Sequence, residues 1–393
     1  MKPEQLVDDI IGRLEQVLPA SSCSIPLHEP SLKGNEWAYV KQSLDTGWVS
    51  SAGGFVEQFE AQLAAYTGAG YAVAVVNGTA ALHLCLRLAG VEPGDEVIVP
   101  ALTFVATANA VSYCGAVPHL ADSSELTLGI DPFKLEAYLD EVAVLRDNCC
   151  RNRVTGRRMK ALVAVHTLGH PAEPERLQQL CRRYRLEFVE DAAESLGSYY
   201  KGQHTGTWGT LSALSFNGNK IITAGGGGAV LTNDESLARE CKHLTTTAKL
   251  AHRWAFQHDR IGHNYRMPGI NAALGTAQLE QLAELRRRKR VLAAAYASVF
   301  AGCEGLRFFL EPPDAESNYW LNALVLAEEN EAGLEPLLEQ THSKGWNTRP
   351  LWTPLHLQPM YAGCPRMDVS TAESLARRIL TIPSSADLGG EHD

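Results

Sequence analysis

From about residue 70 the chain alternates short apolar runs with helix-like segments, and this alternation restricts the fold more than any other feature of its 393 residues. "YAVAVV" is short enough for a buried strand; "NGT" follows it, then the helix-like "AALHLCLRLAG", closed by Gly90. "DEVIVP" leads in the same way into "TFVATANAVSYCG". "KALVAVH", "LEFVED", "LSALSFN" and "GAVLTN" repeat the strand signature around the helical "PERLQQLCRRYR". Short apolar strands alternating with helices predict an α/β unit with a mostly parallel central sheet covered on both faces. Near residue 272 the texture changes. A long helix is expected over "INAALGTAQLEQLAELRRRKRVLAAAYASVFA", and the remainder fits a smaller α+β domain. The expected division is an N-terminal helical extension over 1–25, a large domain over 26–272 and a small domain over 273–393.

Charge narrows the partners. There are 35 basic and 45 acidic residues, a net −10, where nucleic-acid binding needs concentrated positive charge. The basic clusters "RNRVTGRRMK" and "RRRKR" read as a hairpin tip and a solvated helix face, with contact to an anionic substrate as the alternative. No apolar run is long enough to span a membrane, and "MKPEQLVDDIIGRLEQVL" reads as an acidic amphipathic helix, so the expected compartment is the cytoplasm. The nine cysteines show no C-x-x-C or Cys/His ligand spacing, so neither a disulfide framework nor a metal site is expected.

Three strand ends carry chemistry. In "VVNGTAALHL" an apolar strand gives way to Gly78 and Thr79 at a helix start, where free N–H groups and the helix dipole favour an anion; an ordinary capped helix looks the same. Asp191 ends the strand of "LEFVEDAAES", at the edge where open α/β sheets bind ligands, although a capping aspartate also sits there. Lys220 follows "LSALSFN" and precedes four glycines, a costly run unless the backbone bends sharply or approaches something closely, and one expected to leave open space around the amine; a partly desolvated lysine can attack a carbonyl, and a solvated loop lysine is the plainer reading. Phe104 lies just past another strand end, placed either to stack on a ring or to fill the core. Together these supply a phosphate cradle, an acid for a ring nitrogen and an amine for an aldehyde. Pyridoxal 5′-phosphate (PLP) presents all three groups on one molecule. The G-x-G-x-x-G, G-x-x-x-x-G-K-[ST] and H-E-x-x-H motifs do not occur.

The motifs "GWVSSAGGFVEQFE", "NGTAALHL", "PALTFVATANA", "VHTLGHP", "VEDAAESLGS", "SFNGNKIITAGGGGAV" and "GHNYRMPGINAALGTAQLEQL" follow one another in the order seen in the DegT/DnrJ/EryC1/StrS sugar aminotransferases, which this chain resembles over roughly residues 26–385. The resemblance implies the type I PLP-dependent aminotransferase fold. It makes Lys220 the lysine that carries the cofactor and Asp191 the partner of the pyridine nitrogen. Glu194 falls near the ring hydroxyl, Phe104 on the ring face, and Gly78, Thr79 and Ser215 at the phosphate. Asn264 would reach the phosphate from a neighbouring subunit, which implies a homodimer with shared sites. The implied reaction is transfer of an amino group from L-glutamate to a nucleotide-linked keto-sugar. Asn217 stands where relatives often have histidine, a variant resembling the subset that acts on 4-keto-6-deoxy sugars for surface-glycan or legionaminic-type acid synthesis. Amination at C3, dehydration, and a non-catalytic PLP-binding regulator are the alternatives. The dehydrating branch replaces the lysine by histidine, so Lys220 favours transamination.

Overall fold

The computed structural model describes residues 3–20, 24–51 and 53–390. Its central sheet is built from β1 (Tyr71–Val75), β2 (Glu96–Pro100), β3 (Val117–Ala121), β4 (Ala143–Arg146), β5 (Cys149–Asn152), β6 (Arg158–Val165) and β7 (Glu187–Asp191). A two-stranded excursion, β8 (Tyr199–Tyr200) and β9 (Gln203–His204), precedes β10 (Leu211–Ser215) and β11 (Gly228–Thr232). The strand order is β1-β11-β10-β7-β6-β2-β3, with β5 joined to β6 and β4 to β5.

The four pairings from β10 to β3 are parallel, as the alternating pattern predicts. The sheet is nonetheless mixed, because β11 runs antiparallel to both β10 and β1. The chain between β10 and β11 contains no helix to carry a crossover, and a returning strand without one must be antiparallel. β1 therefore points the same way as β10. The carboxyl ends of β1, β2, β6, β7 and β10 share one edge.

Both faces of the sheet are covered, and the pleat shows how. Val73 and Val75 join the same apolar cluster as Leu211, Ala213 and Val230. Ala74, Leu214, Ala229 and Leu231, their neighbours in sequence, join another, with Phe59 and Leu63 from the helix Gly54–Thr67 and Leu282 and Leu285 from the helix Gly269–Val299. Alternate residues of a strand point to opposite faces, so continuous apolar runs are what a doubly covered sheet requires.

The C-terminal strands β12 (Leu306–Phe308), β13 (Ala315–Glu316), β14 (Asn322–Leu326), β15 (Arg349–Pro350) and β16 (Ile379–Ile382) follow the long helix. β12, β14, β16 and β15 form an antiparallel sheet in that order, and β13 pairs with β8. The N-terminal helix Pro3–Leu14 is amphipathic: Leu6, Val7, Ile10, Ile11 and Leu14 are buried against Leu292, Tyr296, Leu324 and Ile382. It is part of the packing under the C-terminal sheet.

The two basic clusters are largely neutralised within the chain. Arg158 pairs with Asp95 at 2.6 Å and Glu92 at 2.9 Å, and Arg157 approaches Glu96 at 3.9 Å. In "RRRKR", Arg286, Arg288 and Arg290 pair with Glu316, Asp387 and Glu311. Lys289 departs from the solvated-face expectation, for it is fully buried with its Nζ on the carbonyls of Trp320 and Ser384.

Candidate active site

A cleft of about 350 Å³ opens at the common strand edge. Gly78, Thr79, Phe104, Asp191, Glu194, Ser215 and Lys220 all line it, so seven of the eight predicted site residues meet in one place. Asn264 is exposed and lies outside the cleft of its own chain.

The helix Gly78–Leu88 aims its amino end into the cleft. Asn77 caps it, its Oδ1 accepting from Ala80 N at 2.7 Å. First-turn amides have no acceptor within a helix, so those of Gly78 and Thr79 are offered outward with the positive dipole end. A Cβ on Gly78 would stand 2.8 Å from Ser215 Cβ, so only glycine lets the end of β10 lie this close to the cap. The cradle fits a phosphate.

Asp191 ends β7. Its Oδ2 accepts from Thr107 Oγ1 at 2.8 Å and its Oδ1 from Ala193 N at 3.3 Å, which fixes the carboxylate plane. Burial pushes its pKa up, while Thr107, Ala193 and the nearby Lys220 ammonium oppose that shift. A carboxylate so enclosed is suited to share a proton with a ring nitrogen. Glu194, three residues on, accepts from Leu168 N at 2.8 Å. Burial raises its pKa too, against the opposing pull of Lys220.

Lys220 Nζ lies 3.5 Å from Glu194 Oε1 and 3.9 Å from the Trp320 ring centroid. The contact with the acid is at the outer limit of a hydrogen bond, so the amine is held near an acceptor without being tied into a short ion pair. Phe104 is 54% exposed, which removes the core reading; its ring centroid stands 6.5 Å from that of Trp352 on the cleft wall. A donor helix end, an enclosed acid, a free amine and an aromatic wall fit PLP group by group.

Trp320, Trp352, Thr107, Asn217 and Asn219 complete the setting. Trp320 locks it: its Nε1 donates to Asn219 O at 2.7 Å, and its ring covers Lys220. Sequence reasoning passed over both tryptophans because they arrive from the far C-terminal segments. Thr107 carried a readable signal, one helical turn from Thr103, to which it is hydrogen-bonded at 3.1 Å. The glycine run does not open space around Lys220. A Cβ on Gly228 would stand 2.5 Å from the backbone of Asn77, one on Gly227 would stand 2.5 Å from Met267 Cε, and Gly225 has φ +74°. Three of the four glycines serve close packing or a left-handed turn, and the fourth, Gly226, meets nothing.

Comparison with known proteins agrees with this geometry. The model of the DegT/DnrJ/EryC1/StrS aminotransferase family matches residues 30–393. The chain belongs to this family. It is 38% identical over 367 residues to GDP-perosamine synthase of Escherichia coli O157:H7, covering 93% of this chain and 95% of that one. It is also 38% identical over 372 residues to a Bacillus subtilis protein named as the pyridoxal phosphate-dependent aminotransferase EpsN, covering 93% and 92%. Among solved structures, DesV of S. venezuelae superposes with a TM-score of 0.79 at 33% identity over 90% of each chain. The protein is thus a PLP-dependent aminotransferase with the type I fold of that cofactor class. Among the described residues, no helix is long and apolar enough to cross a membrane.

Proposed function

We propose that this aminotransferase moves an amino group from L-glutamate to a nucleotide-linked 4-keto-6-deoxy hexose, a UDP- or GDP-sugar, in a cytoplasmic homodimer that makes precursors of surface glycans or legionaminic-type acids. The observation that carries the reading is the meeting of Lys220, Asp191 and the Gly78 helix end in one cleft. The sugar comes from kinship: one relative is named for GDP-perosamine synthesis, and a Helicobacter pylori structure, PseC, for the biosynthesis of pseudoaminic acid.

PLP, when bound, supplies an aldehyde for amines and a ring that withdraws electrons from the attached carbon. Lys220 would carry it, and the amides of Gly78 and Thr79 with Ser215 Oγ would hold its phosphate. Asp191 would keep a proton on the ring nitrogen and Glu194 would face the ring hydroxyl, while Phe104 packs on the ring. Lys220 Nζ, once displaced by the amino donor, would take the proton from the donor's α-carbon as base and deliver it as acid to the former aldehyde carbon, across the intervening nitrogen. Trp320 and Glu194 hold that amine on course. Asn264 would serve the phosphate of the neighbouring subunit. The segment leading to it supports a covered surface, since Trp254, Phe256 and Ile261 are exposed at 66%, 81% and 85% in the single chain. The same reading retains residues 26–272 as the cofactor-binding domain and 273–393 as the smaller one.

Nitrogen-15 L-glutamate tests the reaction. Turnover with a nucleotide 4-keto-6-deoxy hexose is expected to place the label on C4 of the sugar and release one 2-oxoglutarate for each amino-sugar. Label on C3, or loss of the keto-sugar without consumption of glutamate, overturns the assignment in favour of 3-amination or dehydration.

A further inference from the structure

A second pocket, of about 250 Å³, adjoins the cleft and shares Asn219 with it. Leu27, His28, Asn219, Leu321, Asn347 and Arg349 line it. None of them is acidic, whereas the neighbouring cleft carries Asp191 and Glu194.

Arg349, on β15, donates from Nη1 to Thr348 O at 3.1 Å and meets His342 Nε2 at 3.2 Å. A carbonyl and a ring nitrogen leave its charge uncompensated, while Arg158, Arg183, Arg260 and Arg288 each sit on carboxylates. His28 adds a second demand. Both its ring nitrogens are enclosed and neither has a hydrogen-bond partner. A neutral imidazole has one N–H to give and one lone pair to fill, and leaving such a buried group unpaired costs about 1–3 kcal/mol. Two further amines bear on the spot. Burial chiefly, then Lys289 and Lys220, holds the pKa of His28 well below its ordinary value. The pocket therefore holds a guanidinium with no carboxylate partner and an unpaired imidazole, next to the reactive lysine.

We propose that this pocket is an oxyanion subsite, in which Arg349 and His28 hold a carboxylate or phosphate group of a substrate whose reacting end lies at Lys220. The inference rests on the aminotransferase reading of the cleft. A guanidinium offers two parallel N–H groups to either oxyanion, and His28 adds one more from the enclosed side. Asn219 spans the two spaces, since its carbonyl holds Trp320 over Lys220 and the residue lines both. An amino donor presents carboxylates and a nucleotide-sugar presents phosphates, so the chemistry of the pocket admits either source.

The test uses PLP-loaded wild-type protein and the variants Arg349→Met, Arg349→Lys and His28→Leu. In one arm L-glutamate alone is titrated while the visible cofactor band is followed, which gives an apparent Kd for the donor. In the other, the KM for the nucleotide keto-sugar is measured at saturating glutamate. Arg349→Met should weaken one of the two by about tenfold or more, the loss of one charge-assisted contact, with the cofactor spectrum before glutamate and the Tm unchanged. Arg349→Lys should recover part of the loss, and His28→Leu should weaken the same substrate. A donor-specific effect identifies a carboxylate and a sugar-specific effect a phosphate. Both constants staying within about twofold of wild type overturns the subsite. Wild-type protein that fails to respond to glutamate at all instead overturns the functional reading.

Discussion

At the scale of single residues, the site is an electrostatic compromise around Lys220. Glu194 is buried at 7% exposure with one backbone donor and one distant amine, and burial dominates, so its pKa rises above the ordinary 4.5. A raised pKa means that the folded chain holds this proton more tightly than the unfolded one. The stability it contributes is full below the ordinary value and is lost as pH rises through the folded value. Glu194→Gln keeps the shape and fixes the neutral state. PLP-free Glu194→Gln should therefore melt above PLP-free wild type near pH 8, with the gain shrinking toward pH 4; a variant that melts lower at every pH contradicts this. Asp191→Asn tests the other acid. The half-reaction with glutamate, followed by single-turnover absorption, should slow by roughly 10²–10⁴-fold, the range of a lost proton-holding group, while the cleft stays intact. A rate within a few-fold of wild type would remove Asp191 from the ring nitrogen. Asp191 was legible in "VEDAAES" because a carboxylate ending an apolar strand is conspicuous, whereas Glu194, three residues on, came only from the family resemblance. Trp320 was not, since a tryptophan before a strand looks the same whether it fills a core or covers an amine.

At the scale of elements, the glycine run shows what a sequence pattern can and cannot reveal. Four consecutive glycines signalled a special backbone, and the structure assigns the need to packing of β11 under the Asn77 cap. Gly228→Ala would drive a methyl group into the backbone of Asn77, which cannot swing aside as a side chain can. Overpacking of this kind costs about 1–3 kcal/mol, so the Tm should fall and, because the phosphate cradle is displaced, the Kd for PLP should rise. Gly226→Ala meets nothing within 4 Å and should be nearly silent in both measurements. Equal effects of the two would contradict the packing account. The parallel strands were readable because each is followed by a helix or a strand-end motif. The reversal of β11 was not, since "GAVLTN" has the same apolar signature in either direction. The fate of Lys289 was hidden for a related reason: within "RRRKR" its side chain is told apart from its neighbours only by which way the long helix is turned.

At the scale of the whole molecule, the cleft gathers the main sheet and C-terminal segments about one amine, and the proposed homodimer would set a second copy against the surface that carries Asn264. Trp254, Phe256 and Ile261, in the segment that leads to Asn264, are largely exposed in the single chain. If Asn264 completes the partner's site, mixing Lys220→Ala with Asn264→Asp protein should restore turnover that neither shows alone, because one site of each mixed dimer keeps both native residues. No recovery after verified subunit exchange contradicts the shared site. Whether Lys220 carries a PLP that takes the amino group from the donor is read from visible absorption of the PLP-loaded protein. Addition of L-glutamate should bleach the band with release of 2-oxoglutarate, a nucleotide keto-sugar should then restore it, and Lys220→Ala should do neither. A wild-type band that survives glutamate unchanged, or a Lys220→Ala protein that bleaches at the wild-type rate, would contradict the account.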